Sequence, residues 1–304
     1  MSVRGSKVWM DGKLVDWEDA KVHVLTHALH YGTAVFEGIR VYKTPRGSAV
    51  FRLKDHLKRL YDSAKIYMMN IPYSMSELEE AVKLVVATNG FSECYVRPIV
   101  FRGYGSMGVN PLNSPVNVSI AAWEWGPYLG RNAERGVRCM VSTWRRISSQ
   151  SLPPQAKSSA NYANAALAKM EALTNGFDEA IMLNTEGYVT EGSGENIFRV
   201  KSGVLTTPPA SAGVLRGITR DTVIKLAQEM GLSVERVNIS REELYTADEL
   251  FLTGTAAEVV PIREVDGRQI GTGEYPITLK IRERYLKLVH GELDGHEDWF
   301  TFVN

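Results

Sequence analysis

Cysteine is nearly absent: Cys94 and Cys139 are the two in 304 residues, too few for a disulfide framework, and no CxxC pair offers a metal or redox site. That usage fits a reducing, cytoplasmic setting. No run approaches eighteen apolar residues, and the opening Met1-Ser2-Val3-Arg4-Gly5-Ser6 has no apolar core of signal-peptide length, so neither a membrane span nor secretion by that route is expected. Net charge is missing too. Thirty-five basic residues balance thirty-five acidic ones, leaving no global field to draw the chain to nucleic acid or an anionic membrane. Repeats of 20–50 residues and low-complexity tracts do not occur, which sets solenoids and linker proteins aside. Nor do G-x-x-x-x-G-K-[ST] or a convincing G-x-G-x-x-G, the usual cradles for nucleoside triphosphates and dinucleotides.

What is present is a globular composition, 44% hydrophobic and 23% charged, in a length that favours two domains. Asp11-Gly12 between alternating runs signals a hairpin. A second strand pair, 38–42 and 48–52, flanks the turn Thr44-Pro45-Arg46-Gly47. Helix periodicity follows, with Asp55 as cap and Leu57, Leu60, Ala64 and Tyr67 on one stripe; Ser74 or Ser76 starts another helix that Asn89-Gly90 ends. Strands are expected at 95–101, placing Tyr95 and Arg97 on one face, and at 116–123. Gly126-Pro127-Tyr128-Leu129-Gly130 marks the linker. The expected organisation is therefore a small domain over 1–125, a linker over 126–134 and a larger domain over 135–304. In the second half we read strands at 137–144, 179–184, 196–200 and 249–253, helices at 161–175 and from Gly217 to Gly231, and a hairpin at Asp266-Gly267. The fold class is α/β, of the α+β type with mixed sheets.

Three small-residue turns could meet a ligand. Gly217-Ile218-Thr219 opens a helix whose free N–H groups and positive dipole end suit one phosphate; equally, Thr219 is only an N-cap and Gly217 only a turn. Glu191-Gly192-Ser193-Gly194-Glu195-Asn196 sets two carboxylates around a bend, either to hold a cationic ring nitrogen or simply as a solvated polar loop. Gly254-Thr255-Ala256-Ala257 is a third turn able to expose N–H groups to an anion. Lys157 could form a Schiff base with an aldehyde cofactor, but it is one of fourteen lysines, and lysines are mostly solvated.

Ordered blocks along the chain resolve these readings: His27-Ala28-Leu29-His30-Tyr31-Gly32, Phe36-Glu37-Gly38-Ile39-Arg40, Tyr95-Val96-Arg97-Pro98, Met107-Gly108-Val109-Asn110-Pro111, Lys157 with Asn161-Tyr162, the Glu191–Asn196 bend, Gly217-Ile218-Thr219-Arg220-Asp221 and Gly254-Thr255-Ala256-Ala257-Glu258. Together they resemble the branched-chain amino acid aminotransferases of the class IV, fold-type IV pyridoxal phosphate enzymes, from residue 8 to about Val265. The resemblance implies a two-domain fold with the cofactor at the domain interface. It makes Lys157 the Schiff-base lysine and proton carrier, Glu191 the partner of the pyridine nitrogen and Tyr162 the partner of the phenolic oxygen, with Leu215 on the ring face. Arg59, the N–H groups of Ile218 and Thr219, and Thr255 would hold the phosphate, with Gly217 and Gly254 as further cofactor-binding residues. Helical projection independently puts Arg59 at the edge of its apolar stripe, within reach of a buried anion.

For the substrate, the resemblance places Tyr31, Phe36 and Trp125 around an apolar pocket and adds Gly38, Arg40 and Tyr128 as further substrate-binding residues. Tyr95 and Thr255 to Ala257 take the α-carboxylate, and Arg97 takes the γ-carboxylate of glutamate. Met107 and Val109 reach the pocket of a neighbouring subunit, implying a homodimer at least, with a hexamer as a family habit. The implied activity is ping-pong transamination of L-leucine, L-isoleucine and L-valine with 2-oxoglutarate, without a metal. D-amino acid aminotransferase and other class IV enzymes share Lys157 and Glu191, but D-amino acid enzymes hold the carboxylate with an arginine and a histidine two residues apart, where this strand has Arg97-Pro98-Ile99.

Overall fold

Asp11 and Gly12 take φ of 45° and 91°, the left-handed pair that a two-residue hairpin requires, and join β1 (Lys7–Met10) to β2 (Lys13–Asp16) with Met10 opposite Lys13. The computed structural model describes residues 4–126 and 135–303, and the chain divides into two compact units. The first continues through α1 (His27–Tyr31), β3 (Ala34–Phe36), β4 (Ile39–Thr44), β5 (Gly47–Phe51), α2 (Leu53–Ile66), α3 (Met75–Asn89), β6 (Cys94–Arg102) and β7 (Val116–Trp123). Its sheet runs β5-β4-β6-β7-β1-β2 with β3 also on β6, and these pairings are antiparallel.

Leu53, Leu57, Leu60 and Ala64 of α2 and Leu78, Val82, Val85 and Val86 of α3 bury one face each against Val41, Val50, Val96, Val100 and Ile120 of the sheet. Each fully buried leucine or valine stabilises by about 1.5–3 kcal/mol. Ser74, not Ser76, caps α3, in a reciprocal capping box with Glu77, and Gly90 ends it at φ 70°. The expected cap of α2 is corrected: Arg52, at φ 54°, is the N-cap, and Asp55 sits one turn in, where its carboxylate accepts Arg52 Nε–H at 2.6 Å.

The second unit is built from β8 (Val137–Val141), all but the first two residues of α4 (Ser159–Thr174), β9 (Glu179–Leu183), β10 (Val189–Gly192), β11 (Asn196–Lys201), β12 (Val204–Thr207), α5 (Ile218–Glu229), β13 (Val234–Arg236), α6 (Arg241–Tyr245), β14 (Glu249–Gly254), β15 (Glu258–Val265), β16 (Arg268–Gln269) and all but the last two residues of α7 (Pro276–Val289). Six of its strands form a ring, β10-β9-β8-β15-β14-β11, closed where Glu191 of β10 pairs with Asn196 of β11. This sheet is mixed: β8 runs parallel to β9 and β15, and β12 to β13. β8 stops at Val141, short of the expected Trp144, because the next residues turn to Glu171, whose carboxylate accepts from the Ser142 and Thr143 hydroxyls.

Two segments join the first unit from farther along the chain: Ala156–Ala160, and the residues from Leu288 on. The latter supply β17 (Phe300–Phe302), which pairs antiparallel with β5. A single cut after residue 125 would have placed both with the second unit; of the linker expected at 126–134, Gly126 alone is among the described residues.

Candidate active site

In the first unit, α2 and β3 hold Lys157 by its backbone. Ser63, buried on α2, accepts the Lys157 N–H at 3.1 Å, and Phe36 N–H donates to the Lys157 carbonyl at 3.0 Å. Beside it the Tyr67 and Ser158 hydroxyls lie 2.8 Å apart. The side chain is half-buried with Nζ 5.0 Å from the centre of the Phe36 ring, so this lysine is not one of the solvated majority.

Arg97 approaches the same ring. Its guanidinium lies 4.9 Å from Phe36, 5.4 Å from Tyr95 and 5.6 Å from Trp123, distances at which ring quadrupoles stabilise a cation. Arg97 Nε and Trp123 Nε1 are buried without a hydrogen-bond partner, an arrangement suited to an incoming acceptor because orphaned buried donors are costly. Tyr95 packs on Trp123 and Trp125 at 5.3 and 4.7 Å, and Arg40 Nη2 donates to the Trp125 carbonyl at 3.4 Å. Gly38 is required here: a Cβ would fall 1.8 Å from the Tyr95 hydroxyl. The structure thus brings Phe36, Gly38, Arg40, Tyr95, Arg97, Trp125 and Lys157 together and adds Trp123. It does not bring Tyr31, Met107 or Val109 to them. Tyr31 is exposed and stacks on His27 at 4.6 Å, and Met107 and Val109 lie exposed between β6 and β7. Tyr128 lies outside the described residues.

Arg59 does reach a buried anion, and that anion is Glu37. Its Nε and Nη2 donate to the two oxygens of the fully buried Glu37 carboxylate at 2.6 and 2.8 Å, and His56 Nδ1 meets the same carboxylate at 2.7 Å. Burial works to raise the Glu37 carboxyl, but Arg59 and His56 outweigh it and hold it well below the usual carboxylate range. His56 is pushed down, chiefly by burial, so its imidazole is neutral at pH 7 and Nδ1 carries the proton donated to Glu37. The sequence reading gives neither Glu37 nor His56 a role in the site. The signal was a lone carboxylate between Phe36 and Gly38 and a histidine three residues before Arg59 on one helix face.

In the second unit, Asn196 is the hub. Its Nδ2 donates to Glu191 at 3.0 Å and to the Leu215 carbonyl at 2.9 Å, while Leu215 N–H donates to Glu191 at 2.9 Å. Glu191 also pairs with Arg146 at 2.8 Å, both side chains 8% exposed. The solvated-loop reading is thereby excluded for Glu191. Gly217, not Thr219, is the N-cap of α5, and no side chain caps the helix. A Cβ on Gly217 would lie 2.0 Å from Asn196 Oδ1, so glycine keeps a cradle open beside the first-turn N–H groups. Ile218 and Thr219 are buried there. An uncapped helix start, a glycine-kept cradle and a buried carboxylate close by fit a phosphorylated, cationic ring cofactor. Gly254 packs beside Gly194 and Glu195, Thr255 to Ala257 form the turn joining β14 to β15, and Tyr162 is half-buried in α4. Asn196 and Arg146 went unremarked as site residues in the sequence; Arg146 lies in a stretch without periodicity.

Glu195, in the same bend, is buried with Oε1 unpartnered. Burial first, and then the nearby Glu179 carboxylate, push its carboxyl up to about 8 against an ordinary 4.5, with Lys169 opposing and Glu191 adding to the rise. Between about 4.5 and 8 the folded chain keeps a proton that the unfolded chain has released, so stability falls as pH rises through that window and levels off above it. Glu195→Gln, which mimics the neutral acid, is expected to flatten this slope. Melting temperatures of both proteins from pH 5 to 9 test it, and parallel profiles would refute it.

Burial pushes the Cys94 thiol up to about 12 and Cys139 well above its usual range, so neither is poised as a nucleophile. Among the described residues no group of His, Cys, Asp and Glu could hold a metal, and no helix is long and apolar enough to cross a membrane.

Residues 34–265 match the model of the amino-transferase class IV family. The chain is 50% identical to the branched-chain-amino-acid aminotransferase of Pseudomonas aeruginosa, covering 100% of this chain and 99% of that one. The crystal structure of the Escherichia coli branched-chain amino acid aminotransferase superposes with a TM-score of 0.97 at 47% identity, over 99% of this chain and 100% of that one. That of the T.th. branched-chain amino acid aminotransferase, complexed with N-(5'-phosphopyridoxyl)-L-glutamate, superposes with a TM-score of 0.96 at 49% identity, over the whole of both chains.

Proposed function

The chain belongs to the class IV aminotransferases, and from that premise we propose that it is a branched-chain-amino-acid transaminase. It exchanges amino groups between L-leucine, L-isoleucine or L-valine and 2-oxoglutarate, in two half-reactions that use the same lysine. Near-50% identity over the full length to branched-chain enzymes carries this reading. Pyridoxal 5'-phosphate, when bound, supplies the electron sink that lets an α-carbon lose its proton.

The chain's own residues supply the rest. Lys157 Nζ would hold the cofactor and would carry the proton that leaves the substrate's α-carbon. Glu191, which accepts from Arg146, Asn196 and Leu215 N–H, would hold the pyridine nitrogen protonated. Tyr162 would take the phenolic oxygen, and Leu215 the ring face. Arg59, Gly217 with the Ile218 and Thr219 N–H groups, Gly254 and Thr255 would take the phosphate. Phe36, Gly38, Arg40 and Trp125 would shape an apolar pocket; Tyr95 and Thr255 to Ala257 would bind the α-carboxylate. Arg97, stacked on three rings, offers its guanidinium to the second carboxylate of glutamate, so one pocket serves both an apolar and an acidic side chain.

Met107 and Val109 would serve a second copy of the chain, giving a homodimer at least. Their exposure, 42% and 84%, alongside exposed Leu29, Tyr104 and Leu112 supports an interface there. The two buried free thiols accord with a cytoplasmic setting.

The visible absorption spectrum of the purified protein tests the reading. A band that bleaches with L-leucine and not with D-alanine is expected. Bleaching with D-alanine alone would transfer the chain to the D-amino acid branch, and no band after adding pyridoxal phosphate would remove the cofactor assignment.

A further inference from the structure

Glu37 is an anion placed where an anion-binding reading would not want one. It is fully buried, it carries a full charge, and it occupies two donors of Arg59, the arginine read above as a phosphate ligand. Coulomb's law alone makes such a group an obstacle, since it repels a phosphate and neutralises the cation meant to attract it. Its geometry indicates a different use. The backbone of Glu37 is pinned to β6 by its N–H donating to the Pro98 carbonyl at 2.9 Å. The carboxylate grips Arg59 along the Nε–Nη2 edge, a bidentate fork that fixes the guanidinium plane and hence the direction in which Nη1 points. His56, one turn before Arg59 on α2, adds a third bond and removes the remaining rotational freedom of the carboxylate. Phe36, the residue before Glu37, holds the Lys157 carbonyl, so the same short stretch fixes both the lysine and the arginine.

We propose that Glu37, locked by His56, is a positioning residue that aims Arg59 at the cofactor phosphate, and that this orientation outweighs the charge repulsion it brings. The inference rests on the reading of Arg59 as a phosphate ligand. It predicts a sign opposite to that of simple electrostatics: Glu37→Gln, which removes a negative charge near a bound dianion, should weaken cofactor binding.

The test is titration of the full-length protein, stripped of cofactor, with pyridoxal phosphate and separately with pyridoxal, followed by absorbance. For Glu37→Gln the dissociation constant of pyridoxal phosphate is expected to rise by about tenfold or more, in keeping with a lost charge-assisted pair, while that of pyridoxal stays at the wild-type value. Unchanged or tighter binding of pyridoxal phosphate would overturn the proposal, as would equal weakening of both ligands, which would mark a merely structural role. Should Glu37→Gln not fold, His56→Asn and His56→Ala decide. Asn keeps an N–H for Glu37 and should bind pyridoxal phosphate like the wild type, whereas Ala should bind it more weakly, and equal affinities would overturn the proposal. Arg59→Ala in the same assay separates the two levels: if it leaves pyridoxal phosphate affinity unchanged, the phosphate-ligand reading fails first.

Discussion

Lys157→Ala is expected to abolish steady-state transamination between L-leucine and 2-oxoglutarate while leaving the fold intact. The loss combines the covalent anchor with a proton transfer that alone is worth about 10²–10⁴-fold, so turnover should fall by more than about a thousandfold. The fold should survive because the contacts that seat this segment are made by backbone: Lys157 N–H to Ser63 and the Lys157 carbonyl from Phe36. Neither depends on the side chain. Initial rates and a melting curve on one preparation check both halves of the expectation, and wild-type activity in the variant would sink the mechanism.

Glu191→Ala is expected to damage stability and activity together, which sets it apart from the lysine variant. Its removal leaves the Arg146 guanidinium buried and unpaired, a situation that costs about 3–5 kcal/mol. It also takes away the acceptor that Asn196 and Leu215 N–H share at the point where the six-stranded ring closes. For a folding unit of this size the melting temperature should drop by about 6–20 °C. Glu191→Gln keeps the acceptor oxygen but not the charge, so it should recover part of the stability and little of the activity. Calorimetry beside rate measurements resolves the two, and a fully stable Glu191→Ala protein would show that Arg146 has another way to be satisfied.

Local chemistry was legible from sequence, and long-range closure was not. Asp11-Gly12, Ser74 with Glu77, Gly90 and Asp266-Gly267 each announce a turn or cap through their own side chains or backbone freedom, and the chain turns there. Where a neighbour decides, the reading slips. Asp55 has a capping side chain, but Arg52 takes the cap in a left-handed conformation, backed by its N–H donating to the Trp299 carbonyl at 2.6 Å, a partner far along the chain. β10 and β12 are four residues each and buried on both faces, without the alternation that marks a half-exposed strand. At the candidate site, the small-residue turns stand out by their own composition, and the family pattern that spans them singles out Lys157 among the lysines. Glu37, His56, Asn196 and Arg146 act through partners on other elements, and spacing carries no record of those partners.

Pairing of β17 with β5 also bears on how the protein is made. Residues 47–51 leave the ribosome early, whereas residues 300–302, which complete that side of the sheet, are synthesised long after. Throughout the interval β5 presents unpaired N–H and C=O groups, a template for another chain. Arg52 waits equally long for the Trp299 ring, over which its guanidinium finally sits at 4.7 Å. The first unit therefore cannot finish folding as it emerges. Crowded or chaperone-poor synthesis should trap nascent chains through this edge, and a shortened product lacking residues 300–302 should aggregate even with every candidate site residue in place.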